Sequence, residues 1–115
     1  METYNVGDIL LLKFPFSSEQ ETKRRPALVV LDVGDDDVLV ARIATRDSKF
    51  KFDVVLMQWK QAGLKAPSVV RLHKLATLEK SLVDRKLGHL PAEDWNAIRQ
   101  VLKDLFDVFT GEKLK

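Results

Sequence analysis

Residues 8–32 read Asp8-Ile-Leu-Leu-Leu-Lys-Phe-Pro-Phe16, then Ser17-Ser-Glu-Gln-Glu-Thr22, then Lys23-Arg-Arg-Pro-Ala-Leu-Val-Val-Leu-Asp32. Ile9, Leu10, Leu11 and Leu12 are continuous rather than alternating, so Asp8 to Phe16 is expected to be a strand buried on both faces. Pro15 removes a backbone donor and belongs at a strand end or an edge. Ser17 to Thr22 has nothing to bury and reads as a loop. A second valine- and leucine-rich strand runs from Pro26 to Asp32. Arg25 precedes a proline, which excludes the α region and holds the arginine extended where that strand begins. A guanidinium on a stiff strand entrance suits a phosphate, because its planar fork grips two oxygens together.

Working outward, Gly34-Asp35-Asp36-Asp37 is a turn by composition. Val38 to Ala44 is a third strand, making a hairpin with the second. Thr45 to Lys49 is a short polar crossing. Phe50, Phe52, Val54 and Leu56 share one parity, predicting a fourth strand with Lys49, Lys51, Asp53 and Val55 on its other face. Met57 to Gln61 is expected to form one helical turn that Gly63 ends in the left-handed conformation. Ser68 to Leu72 is a further strand, followed by a weaker extended piece from Leu75 to Leu78, and Gly88-His89-Leu90 closes the β region. Pro91 opens a helix with Glu93 and Asp94 in the first turn, where the dipole favours anions. Trp95, Ile98, Val101, Leu102, Leu105, Val108 and Phe109 recur at helical spacing, and the tail frays from Thr110. The expected architecture is mostly β within the α+β class: one domain over residues 1–115, a small β-barrel with a short helix and a C-terminal helical cover.

The chain has 115 residues, no cysteine and a formal net charge of +2. Disulfides and thiolate metal sites are therefore excluded, which fits a reducing cytoplasm. Met1 to Asn5 lacks the pattern of a signal peptide, and no apolar run reaches membrane-spanning length, so a cytoplasmic protein with no membrane association is expected. The charge is unevenly spread. Between Arg42 and Leu75 stand Arg42, Arg46, Lys49, Lys51, Lys60, Lys65, Arg71 and Lys74 against only Asp47 and Asp53, a local excess of +6. A concentrated positive region attracts polyanions, and such binding is salt-dependent.

His73 and His89 have no carboxylate at ligand spacing and read as structural or exposed, so no metal is expected. The five glycines are too scattered for a phosphate cradle. What remains is Arg25 at the start of the second strand and Thr45 at the end of the third. Counting back along the hairpin brings them opposite one another, into one cleft. Phe16, at the loop base, either stacks a nucleobase or packs beside Phe14. Lys23, Arg24, Arg46, Lys49 and Lys51 are candidate phosphate contacts. Trp59 and Trp95 read as core or interface residues.

Gly7-Asp8-Ile9-Leu10, Phe14-Pro15-Phe16, Lys23 to Val30, Ala44-Thr45, Gly63-Leu64-Lys65-Ala66-Pro67-Ser68-Val69-Val70 and Leu87-Gly88-His89-Leu90 together resemble the MazF/PemK family of toxin endoribonucleases. The resemblance runs in order from about residue 7 to the C-terminal helix. It implies an SH3-like barrel, a homodimer, and cleavage of single-stranded RNA without metal or other cofactor. It also implies a cognate antitoxin as partner. By position, the family's catalytic arginine falls on Arg25 and its catalytic threonine on Thr45. Two departures stand out: Arg46 follows the threonine where relatives often carry serine, and Ala76 stands where they often carry arginine. The rival expectation is a non-catalytic barrel that binds nucleic acid, or one that grips a protein target such as a topoisomerase near Phe106 and Phe109.

Overall fold

The computed structural model describes residues 2–15, 22–45 and 47–111. Six strands form one antiparallel sheet: β1 (Asp8–Pro15), β2 (Thr22–Leu31), β3 (Asp37–Ala44), β4 (Asp53–Val55), β5 (Val69–Glu79) and β6 (Val83–His89). Among the described residues there is one α-helix, α1 (Ala92–Phe109), which follows the sheet. The strand order is β4-β5-β3-β2-β1-β6, so the hydrogen-bonded sheet has two ends and is not closed into a barrel.

The sheet is nevertheless rolled. β5 and β6 lie four inter-strand steps apart, which in a flat sheet is about 19 Å. Only a 3₁₀ turn, Lys80–Leu82, joins them, and a turn of that length spans about 8 Å. The sheet must curl to let the connection close. The turn is pinned to the β2–β3 hairpin: the Lys80 N–H donates to the Asp36 carbonyl at 2.8 Å, and its buried ammonium pairs with Asp32 at 3.0 Å. Asp32 also accepts the N–H groups of Tyr4 and Gly34 at 2.7 and 2.8 Å. Burial, the largest influence on this carboxyl, pushes its pKa up, but these donors and the Lys80 charge outweigh it and hold it below the usual value.

Burial on both faces explains the unbroken apolar runs. Ile9, Leu28, Ala41 and Ile43 face a core completed by Val54, Leu56, Val70, Leu72, Ile98 and Leu105. Leu10, Leu12, Ala27, Val29, Val38 and Val40 face a second core, closed by Tyr4, Leu78 and Val83.

Several sequence expectations need correction. β2 begins at Thr22, four residues before the proline, because Lys23 to Pro26 still pair with β1. The fourth strand shrinks to Asp53–Val55. Phe50 is 50% exposed, and the Asp53 carboxylate, expected outward, is buried and accepts the Lys49 and Phe50 N–H groups in a turn. Residues 57–61 make the expected single turn, with Ala62 N–H bonded to the Gln58 carbonyl at 3.1 Å, but it does not extend into a short helix. Gly63 follows at φ +94°, as its position required. The two extended pieces after Ser68 are one strand: β5 carries three residues, Leu72 to Lys74, that β3 does not match. Pro91 is the cap before α1, not its first residue. Asp94 leaves its own helix end and accepts the N–H groups of Met57 and Gln58 at 2.9 and 2.8 Å, tying the 57–64 loop to the helix.

Candidate nucleic-acid interface

The β2–β3 ladder starts at Ala27 opposite Arg42, directly after Pro26. Proline has no N–H to offer a neighbouring strand. Lys23 to Pro26 therefore pair with β1 alone, and their other edge opens onto a groove of about 420 Å³. Continuing the observed register brings Arg25 opposite Ala44, one residue short of Thr45. Both Arg25 and Thr45 line the groove and both are exposed. The register extrapolates to within one residue of the expected one, although the β2–β3 ladder itself ends at Ala27 and Arg42.

Six cations line this groove: Arg24 and Arg25 from β2, Arg42 from β3, Lys49 from the following segment, and Arg71 and Lys74 from β5. No carboxylate or imidazole joins them among the described residues lining it. Five of the six are exposed, while Arg71 is only 5% exposed. Its guanidinium pairs with Asp53 at 2.6 Å and lies 5.0 Å from the centre of the Phe50 ring. Burial dominates the Asp53 carboxyl and raises its pKa, but the Lys49 and Phe50 N–H groups and then Arg71 more than offset this and lower it overall. Asp53 is therefore an anion that fixes a cation. Its second oxygen, Oδ1, is buried with no hydrogen-bond partner among the described residues.

Of the remaining expected contacts, Lys49 and Arg24 line the groove. Lys51 does not; its ammonium lies 5.5 Å from the Phe52 ring. Lys23 is exposed on β2 and is not among the lining residues. Phe16 and Arg46 lie outside the described residues, as does most of the 17–22 loop. Sequence reasoning counted Arg42, Arg71 and Lys74 in the basic excess but gave them no place in the site. The signal available was Arg71 inside an otherwise apolar strand, where a charge needs a partner. His89 sits elsewhere, bonded through Nδ1 to the buried Asp8 at 2.8 Å, with Lys86 at 3.2 Å from the same carboxylate. Burial raises the Asp8 pKa most, yet the Asn5 N–H, His89 and Lys86 together bring it below the usual value. No group of three or more potential metal-ligating side chains occurs among the described residues. No described helix is long and apolar enough to cross a membrane.

The described residues form a rolled antiparallel sheet and one helix, with an arginine-rich groove whose charge is suited to a polyanion. The family model for the PemK-like, MazF-like toxin of type II toxin–antitoxin systems matches residues 5–106, and the chain belongs to that family. Among solved structures, MazE–MazF of Deinococcus radiodurans (Form-II) is 22% identical with a TM-score of 0.73, covering 92% of this chain and 97% of that one. The Mycobacterium tuberculosis toxin MazF-mt6 is 24% identical with a TM-score of 0.68, over 87% and 96% of the two chains. An endoribonuclease from a mycobacterial species is 18% identical with a TM-score of 0.69, over 89% of each chain. The search of curated proteins found no match.

Proposed function

We propose that this chain is a toxin endoribonuclease that cuts single-stranded RNA without a metal ion and is neutralised by a cognate antitoxin. The observation that carries the reading is that Arg25 and Thr45 line one groove, and that the charged side chains among its described lining residues are all cationic. In the reaction, an RNA 2′-hydroxyl attacks the adjacent phosphorus. The new 2′-O–P bond forms as the P–O5′ bond breaks, leaving a 2′,3′-cyclic phosphate. The 2′-hydroxyl proton is lost and the departing O5′ gains one.

Negative charge builds on the phosphorane oxygens, so donors aimed there stabilise the transition state most. Arg25 supplies such donors, because its guanidinium carries five N–H groups in a fixed fork. Thr45 hydrogen-bonds a phosphate oxygen or relays a proton. Arg71, held by Asp53, adds a charge that needs no reorganisation. The described residues lining the groove offer cations and a hydroxyl, and among them no carboxylate or imidazole with which to hold a metal at the phosphate. DNA lacks the nucleophile and is bound without reacting.

Family membership and the relatives support the remaining parts of the reading. One similar structure is an endoribonuclease in complex with its cognate antitoxin, and another is a MazE–MazF complex. The rolled but unclosed sheet is read as an open, SH3-like relative of a barrel, and a homodimer in the cytoplasm as the working form.

The test is digestion of a long single-stranded RNA in excess EDTA. Wild type is expected to cut it and leave cyclic phosphate ends, with Arg25→Ala slower by about 10²–10³-fold. A single 2′-deoxy at the scissile position should block cleavage, and cutting there would sink the mechanism. A second reading keeps one observation of its own: Phe106 and Phe109 are 58% and 62% exposed at the end of α1. A toxin that grips a protein through that end would lose its effect on Phe109→Ser and keep it on Arg25→Ala.

A further inference from the structure

A second cavity, of about 620 Å³, adjoins the cationic groove, and Arg24, Pro26 and Thr45 line both. Its apolar lining comes from Leu11, Pro26, Leu64 and Leu87. Its shape is fixed by backbone packing: a Cβ on Gly63 would collide with the Leu87 carbonyl, and one on Gly88 with the Ala62 carbonyl. The 62–68 loop is thereby pressed onto β6. Asp84 and Arg24 also line the cavity, paired Nε to Oδ2 at 3.3 Å, while the other Asp84 oxygen faces Lys13 at 3.7 Å.

We infer that this cavity receives the nucleobase next to the scissile phosphate, and that Asp84 selects an amino-bearing base over uracil. The inference rests on the RNA reading above. A phosphodiester held at Thr45 leaves its neighbouring base one step away, in the cavity that shares Thr45. The volume falls in the range of small-molecule sites, and apolar walls suit the faces of a base. A carboxylate only accepts hydrogen bonds, and its two oxygens carry about four acceptor positions, so Asp84 retains capacity beyond Lys13 and Arg24. The exocyclic amines of cytosine, adenine and guanine donate to it. Uracil presents one N–H between two carbonyl oxygens, which a carboxylate repels. Arg24 has donors left for the ring nitrogen or carbonyl beside the amine.

The test uses uncleavable 2′-O-methyl hexamers of cytosine, adenine or uracil, with binding followed by fluorescence anisotropy. Wild type should bind the cytosine and adenine hexamers about tenfold more tightly than the uracil hexamer. Asp84→Asn should bring the three together. The substitution also frees Arg24 and Lys13, which shifts all three affinities in common and leaves their ratio as the readout. No binding by wild type, equal binding of the three, or a preference that survives Asp84→Asn overturns the inference. A preference that vanishes in Asp84→Asn, alongside failure to cut RNA in EDTA, would uphold the base pocket and defeat the ribonuclease reading.

Discussion

At the scale of single residues, the Asp53–Arg71 pair ties stability to the site. The Asp53 side chain is fully buried and Arg71 nearly so, and deleting one member of such a pair leaves an uncompensated charge in the interior. Arg71→Ala is expected to cost about 3–5 kcal/mol in urea unfolding. Arg71→Lys should keep most of that stability while lowering the cleavage rate, since an ammonium cannot hold Asp53 and present a planar fork to phosphate together. Comparable losses of stability in both variants would mean that geometry rather than charge is what the pair supplies. The sequence already singled out Arg25 and Thr45, because a proline and a hairpin fix where they stand. Arg71 escaped for a physical reason. Its partner Asp53 sits at a parity that alternation assigns to solvent, and a turn built by the carboxylate itself reverses that assignment.

At the scale of elements, the loop between β4 and β5 is held by contacts too distant along the chain for periodicity to reveal. Gly63 packs against the Leu87 carbonyl of β6, Gly88 packs against the Ala62 carbonyl, and Asp94 holds the loop from the helix. Gly63→Ala is expected to cost well over ~1 kcal/mol, because it meets both a positive φ and the Leu87 carbonyl. Gly34→Ala shares the positive φ but meets open space, and should cost about 1 kcal/mol. Thermal melts of the two variants separate the steric part from the conformational part. Asp94→Ala should cost about 1–2 kcal/mol, as for a lost cap. Strand identities were legible wherever both faces are buried, as at Ile9–Leu12 and Ala27–Val29. They were not legible over 83–89, where half-exposed and charged residues form an edge strand that shows neither alternation nor an apolar run.

At the scale of the whole molecule, three carboxylates whose pKa is lowered by folding set the response to acid. Asp8, Asp32 and Asp53 all have lowered folded-state pKa values. The unfolded chain therefore binds more protons as pH falls below about 4, the ordinary aspartate value. Their stabilisation should be fully present at neutral pH and drain away as the solution is acidified through the folded values, which urea midpoints at stepped pH will show. Charge governs the other global property. For single strands the logarithm of affinity falls with the logarithm of salt at about 0.7 per phosphate contact. Lys49→Ala, inside the groove, should flatten that slope by about this amount. Lys51→Ala, two residues along but outside it, should leave the slope unchanged. Equal changes from both would mean that the charge acts diffusely rather than through the groove.

The order in which the chain leaves the ribosome gives the α1–loop tether another meaning. Every described residue lining the cationic groove precedes position 75, so all of them are synthesised before β6 and α1. What holds the groove in shape comes later: Val83 covers one core, Asp94 secures the 57–64 loop, and Ile98 fills the other core. On the RNA-cleaving reading, the groove's residues are made before the elements that hold them in place, and cleavage is expected to require that α1 has docked.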